Sequence, residues 1–133
     1  MKIRNIKYSD VDKVKKLLIS SFSSRYNKPL ISKNFSDSKN ITLVAEINDE
    51  IVGIASLHII KKLTRKMGLI EDVAVNPDQR GNGIGKKLIE NLIDQSIKAG
   101  CDKICLSSSK ENVPFYEKTG FHVNELQMIL RNN

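Results

Sequence analysis

The residues best suited to chemistry in this chain lie in three short stretches. Arg80-Gly81-Asn82-Gly83-Ile84-Gly85-Lys86 is a glycine-rich turn that runs straight into an amphipathic segment. With no Cβ atoms in the way, successive backbone N–H groups can point at one spot, and a helix N-terminus adds positive potential there. Such a turn selects an anion; the plainer alternative is a helix entry with flexible glycines. Spacing excludes two familiar phosphate loops. A Walker A loop has four residues between its glycines and then Lys-Ser/Thr, whereas Gly81 and Gly85 enclose three residues and Lys86 precedes Lys87. The dinucleotide fingerprint needs a glycine where Lys86 stands. The second stretch is Glu71-Asp72, an acidic pair inside the otherwise apolar run 69–75. Carboxylates there are costly unless they have a purpose, the alternative for Glu71 being a solvated strand carboxylate. Strand alternation sends Asp72 to the opposite side unless a bulge intervenes. The third stretch, Asn112-Val113-Pro114-Phe115-Tyr116, carries a phenol that is either a working proton donor or a half-buried core aromatic.

These stretches need elements to hold them. Residues 2–7 read as a short strand, and Ser9 opens a helix with Asp12 in a capping-box role. The apolar face of that helix is Val11, Val14, Leu17, Leu18 and Phe22. Residues 23–40 are polar and broken by Pro29, so they form a loop or a short irregular helix. Runs 41–47 and 51–60 are β-branched and joined by Asn48-Asp49-Glu50, which predicts a hairpin. Lys61, Lys62, Arg65 and Lys66 fill the next connection, and strand 69–75 ends in the turn signal Asn76-Pro77-Asp78. After the glycine turn, Ile84, Leu88, Ile89, Leu92, Ile93 and Ile97 form one helical stripe that Gly100 stops. Strand 103–108 follows, then a short helix from Asn112 to Gly120, and 121–130 supplies a final strand or two. The order β-α-(α)-β-β-β-α-β-α-β describes a mixed α/β domain around one sheet.

Composition narrows the function. The 133 residues suffice for one core and no second module, and the 40% hydrophobic and 28% charged content is that of a globular chain. The charged start and short apolar runs predict no leader and no membrane span, hence a soluble cytoplasmic protein. Net charge is +7, but residues 1–66 hold 14 basic and 6 acidic side chains, while 67–133 hold 8 and 9. That asymmetry suits an anionic partner. Aromatics are only 5% and Trp is absent, so a nucleic-acid stacking surface is not expected, and a phosphorylated small molecule or cofactor fits better. Cys101 and Cys105 lack a histidine at metal spacing, so no metal is expected. His58 and His122 stand apart from any hydrolase triad.

The pattern Arg80-x-x-Gly83-x-Gly85 between a strand and a helix resembles the acetyl-CoA loop of the GNAT superfamily of N-acyltransferases. The resemblance extends to the element order of the whole chain and is close over 69–130. It implies one GNAT domain over 1–133, an α/β (α+β) fold with a central mixed, mostly antiparallel sheet flanked by helices. It further implies acetyl-CoA as cofactor, with Arg80, Gly81, Asn82, Gly83, Ile84, Gly85 and Lys86 at the pyrophosphate and Val73, Ala74 and Val75 along the pantetheine arm. Asn112 would bond that arm or merely cap its helix. Glu71 matches the position that receives the ammonium proton, Asp72 orients the substrate, and a strand N–H near Val73 faces the acetyl oxygen. Tyr116 matches the phenol that meets the coenzyme A sulfur, and an ordinary pKa near 10 suits proton delivery to a thiolate.

Ile70-Glu71-Asp72-Val73-Ala74-Val75, Gly100-Cys101-Asp102-Lys103-Ile104 and the stretch 112–121 are similar to the branch of that family that acetylates glucosamine 6-phosphate. The branch implies a small-molecule amine as partner, a homodimer, no nucleic acid or membrane, and direct transfer in one ternary complex. Lys103 and Arg131 match substrate residues, the arginine reaching across the dimer. Lys62 and Arg65, with their basic neighbours, either meet the substrate phosphate or form a solvated loop. Ser107 departs from the aspartate that the branch often carries there. Other readings are a different small amine or a peptide amine as acceptor, or a coenzyme A-binding sensor without turnover.

Overall fold

A computed structural model describes residues 1–22, 37 and 39–132. Alternating apolar positions and the helical stripes place the elements. They are β1 (Lys2–Asn5), α1 (Val11–Ser21), β2 (Asn40–Ile47), β3 (Glu50–Lys61), β4 (Lys66–Val75), α2 (Ile84–Lys98), β5 (Cys101–Cys105) and α3 (Val113–Glu117). The strands form one sheet in the order β1-β2-β3-β4-β5. All neighbours are antiparallel except β4 and β5, which run parallel. This agrees with the mixed, mostly antiparallel sheet expected from the sequence.

The stripe of α2 buries Ile84, Leu88, Ile89 and Leu92 against Leu43, Ala45, Ala55, Leu57 and Ile70 on one face of the sheet. On the other face α1 buries Val14, Leu17 and Leu18 against Val44, Ile51, Ile54 and Ala74. Each large side chain removed from water in this way contributes about 1.5–3 kcal/mol. Helix α2 lies so close to β3 that a Cβ on Gly53 would meet Ile84 Cγ2 at 3.0 Å and Leu88 Cδ1 at 3.1 Å.

Two irregularities in β4 matter most. Against β3, Ser56 pairs with Glu71 and Ile54 with Ala74, so Asp72 and Val73 share the place opposite Ala55. Asp72 is the bulged residue, with φ of 55°. Against β5, pairing runs only from Lys66–Cys101 to Leu69–Cys105. Beyond Leu69, β4 continues to Val75 while β5 has ended, which leaves one edge of β4 open among the described residues.

Several expectations need correction. Ser9 and Asp12 do not start the first helix; a 3₁₀ turn, Tyr8–Asp10, precedes α1. The Asp10 carboxylate accepts the Lys7 N–H at 2.7 Å and two bonds from Arg4, at 2.8 and 2.9 Å. Strand β5 begins two residues before Lys103, directly after Gly100 turns the chain at φ of 84°. Residues 121–132 form no strand, against the reading of 121–130. Of the 23–40 loop, residues 23–36 and 38 lie outside the described residues.

Candidate active site

The glycine turn has the backbone that its sequence requires. Gly81 and Gly83 adopt φ of 86° and 76°, a left-handed region that only glycine enters freely. Gly83 is the N-cap of α2 and, lacking a side chain, makes no side-chain cap bond. Its carbonyl accepts from Lys87 N–H at 3.1 Å, so α2 begins there and the N–H groups of Ile84, Gly85 and Lys86 have no intrahelical acceptor. Asn76 pins the strand end: its N–H donates to the Val52 carbonyl at 2.8 Å and its Oδ1 accepts from Asp78 N–H at 3.0 Å. Ile84 is buried in the core and offers only its backbone to the turn. Gly85 has a packing duty as well, since a Cβ there would meet Phe115 Cζ at 3.1 Å and Val75 Cγ2 at 3.5 Å. Helix α3 is thereby seated beside the end of β4.

Tyr116 follows Phe115 on α3. Its half-buried ring stands edge-on to Phe115 at 4.9 Å and to Phe121 at 6.1 Å. Burial pushes the phenol above its ordinary value, so at neutral pH it keeps its proton and can donate it. Asn112 is exposed at the N-cap of α3 and makes no side-chain cap bond, so capping does not occupy its amide.

Glu71 is exposed on β4, and Asp72 is half-buried in the bulge beside it. Desolvation raises the Asp72 carboxyl, and His58 pulls it back down. The bulge that the alternation argument left open is therefore present. Sequence reasoning missed a polar ladder on the same face. Thr42 Oγ1 and Ser56 Oγ share a hydrogen bond of 2.9 Å, and His58 Nδ1 meets Asn40 Oδ1 at 2.7 Å. Ser56 is only 4% exposed, at the centre of the sheet. The available signal was the pair of polar residues at i and i+2 on each of β2 and β3, whose partners lie directly across the ladder.

The other candidates are placed apart. Lys62 and Arg65 lie in the exposed β3–β4 hairpin, and Arg65 precedes Glu71 by six residues of extended chain, about 20 Å. The structure does not bring them to Glu71 within one chain. Lys103 is exposed on β5 opposite Met67, close to where β4 and β5 part. Arg131 lies in the exposed C-terminal tail. Cys101 and Cys105 are free thiols. Among the described residues, no cluster of His, Cys, Asp and Glu could hold a metal, and no helix is long and apolar enough to cross a membrane.

An open strand edge that leads to a glycine turn at a helix N-terminus is a distinctive arrangement, and the acetyltransferase (GNAT) family profile matches residues 11–121. The chain belongs to the GNAT family. It is 52% identical over 83 residues to glucosamine 6-phosphate N-acetyltransferase of Trypanosoma brucei brucei, covering 60% of this chain and 56% of that protein. It is 37% identical over 111 residues to glucosamine 6-phosphate N-acetyltransferase 1 of Dictyostelium discoideum, covering 80% and 69%. The chain thus spans between about half and about two thirds of the length of these relatives. Among solved structures, glucosamine-6-phosphate N-acetyltransferase from Arabidopsis thaliana superposes with a TM-score of 0.86 at 32% identity, over 99% of this chain and 98% of that one.

A GNAT acetyltransferase draws on acetyl-CoA, which supplies an acetyl group activated as a thioester. The residues present fit that donor. The edge of β4 from Ile70 to Val75 offers unpaired backbone to an extended amide-bearing arm, and the helix entry at Gly83 offers N–H groups to a diphosphate.

Proposed function

We propose that this GNAT domain acetylates the primary amine of a small anionic acceptor, glucosamine 6-phosphate, by direct transfer in one ternary complex. One observation carries the reading: β4 loses its β5 partner after Leu69, and the Glu71-Asp72 bulge lies immediately beyond that fork. Donor arm and carboxylates are thereby offered along the same few residues of one strand. The names of the T. brucei and D. discoideum relatives support the acceptor.

In this reading the backbone of Val73, Ala74 and Val75 aligns the donor arm. The N–H groups of 81–86 and the Arg80 guanidinium bind its diphosphate. The Asn112 amide, free of capping, adds a bond to the arm. Glu71 attracts the ammonium of the acceptor and receives its proton through water, and Asp72, turned by the bulge, orients it. Tyr116 holds a proton for the departing sulfur. Lys103 serves the acceptor phosphate.

The homodimer is also our reading. Leu126, Met128 and Leu130 are 91%, 93% and 84% exposed and alternate along a tail that has no strand partner among the described residues. Burying three such side chains is worth about 1.5–3 kcal/mol each. The free edge of β5 on a second copy is a fitting partner, and it would carry Arg131 to the neighbouring acceptor site. Replacing all three side chains by serine should leave a monomer by light scattering; a dimer that survives refutes this role of the tail. The free thiols favour a reducing compartment, and we take it to be the cytoplasm.

The deciding assay is thiol release from acetyl-CoA with glucosamine 6-phosphate, glucosamine, a polyamine and a lysine peptide. Turnover that requires the phosphate is expected. Preference for an unphosphorylated amine overturns the acceptor and leaves the donor site standing. Donor binding without release for any amine makes the chain a coenzyme A sensor.

A further inference from the structure

The reaction needs a free amine, yet the roles assigned so far give its ammonium proton only to carboxylates. An ordinary carboxylate is about a hundredfold weaker as a base than an imidazole. One imidazole stands beside the fork. His58, half-buried on β3, pairs with Leu69, the residue at which β4 and β5 part, and lies two positions from Ser56, the partner of Glu71. Residues directly opposite in an antiparallel ladder share a face, so His58, Leu69, Ser56 and Glu71 look the same way. Helix α1 packs on this side against Val44, Ile54 and Ala74, toward the other end of the sheet.

The ring is fixed by one of its two nitrogens. An amide oxygen accepts, so the 2.7 Å contact to Asn40 Oδ1 fits the tautomer with its hydrogen on Nδ1, in which Nε2 keeps its lone pair. Among the described residues, the titratable groups on this face are Glu71 and Asp72 on β4, with Cys105 and Lys103 on β5 beyond Leu69 and Met67. Strand β2 presents the neutral Asn40 and Thr42, and β3 the neutral Ser56. Asp72 lies within electrostatic reach of the ring.

We propose that His58 is the proton acceptor of the acceptor half-site. The inference rests on the reading that the acceptor is an amine. The R–NH₃⁺ group passes one proton through water to Nε2 of neutral His58. The amine gains its lone pair for attack, and the imidazolium is held between Asn40 and Asp72 until it releases the proton to solvent. Glu71 then attracts and places the ammonium, and the proton that the proposed function gave to Glu71 goes to His58 instead.

Two measurements test this. The first is kcat/KM for the acceptor against pH in the wild type, His58→Asn and His58→Gln. Asparagine keeps a polar group near Nδ1 and removes Nε2. The expected result at neutral pH is a loss of about a hundredfold or more in both variants, disappearance of the acid limb, and recovery as pH rises and free amine accumulates, with unchanged acetyl-CoA affinity. Activity within threefold of wild type and the same acid limb would overturn the proposal. The second is a nitrogen-15 NMR spectrum of the His58 ring, which needs no turnover. The neutral ring should carry its hydrogen on Nδ1. A hydrogen on Nε2 refutes the proposal even if no amine is turned over. Failure of every amine with the ring behaving as expected counts against the acceptor reading and leaves the base in place.

Discussion

Replacing Gly83 by alanine separates the fold of the glycine turn from its function. At φ of 76° an alanine pays the left-handed penalty of about 1–2 kcal/mol. Reduced freedom of the unfolded chain returns about 0.4–1 kcal/mol. No atom lies within 4 Å of the added Cβ, so no clash adds to this. The net loss is about 1 kcal/mol, a drop in Tm of about 3–6 °C for a domain of this size. The effect on the donor should be larger. Relaxing the strain tilts the N–H groups of Ile84, Gly85 and Lys86, and each hydrogen bond to a charged group is worth about 1.5–3 kcal/mol. Loss of one raises the Kd for acetyl-CoA by about 10- to 150-fold, measured by calorimetry at a temperature where both proteins are folded. A truncated thioester with no diphosphate supplies the control, because it should bind both proteins equally. Donor affinity within threefold of wild type, or an equal loss with the truncated donor, would refute the assignment of this turn to the diphosphate.

Further tests address the rest of the molecule. Arg4 bonding holds the Asp10 carboxyl below its ordinary value, so the stabilisation it gives is complete above the usual carboxylate range and is lost as pH falls through the lowered folded value. Asp10→Asn should cost about 1.5–3 kcal/mol at pH 7 and flatten the fall in Tm toward pH 3; parallel pH curves for the two proteins would contradict this. Gly53→Val should destabilise by about 1–3 kcal/mol through contact with Ile84 and Leu88, with little change in kcat for the folded fraction. Tyr116→Phe should lower kcat by about a hundredfold while leaving Tm within about 3 °C. Because burial raises the phenol, the wild-type kcat should show no alkaline loss from this group below its ordinary pKa near 10; an earlier loss that vanishes in the variant would exclude Tyr116 as the buried proton donor.

What the sequence made legible was local. The stripe of α2 and the glycines before it are encoded within about twenty residues, and the stripe is buried from Ile84 to Leu92, while Ile97 at its end is exposed. The tail shows the opposite case. Leu126, Met128 and Leu130 alternate as a strand should, yet alternation specifies a face and not a partner, and among the described residues they form no strand. Lys62 and Arg65 stand close to Glu71 in sequence, but an extended strand turns six residues into about 20 Å. His58 was passed over because its partners are cross-strand. Asn40 lies 18 residues away, a separation that no local motif search connects.

The bulge at Asp72 explains why the site sits where it does. Ile70 and Ala74 are four residues apart, so regular alternation would put them on one face. Instead Ile70 belongs to the α2 side of the core and Ala74 to the α1 side. One extra residue in β4 makes the switch and lets both faces stay apolar past an acidic pair. Just beyond the point where β5 ends and the edge of β4 opens, that added residue turns the Asp72 carboxylate. Deleting Asp72 should leave a regular ladder in which Glu71, Val73 and Ala74 lie opposite Ser56, Ala55 and Ile54, so Ala74 keeps its face and the core its packing while the half-buried carboxylate is lost; a deletion variant that fails to fold would refute this account of the bulge.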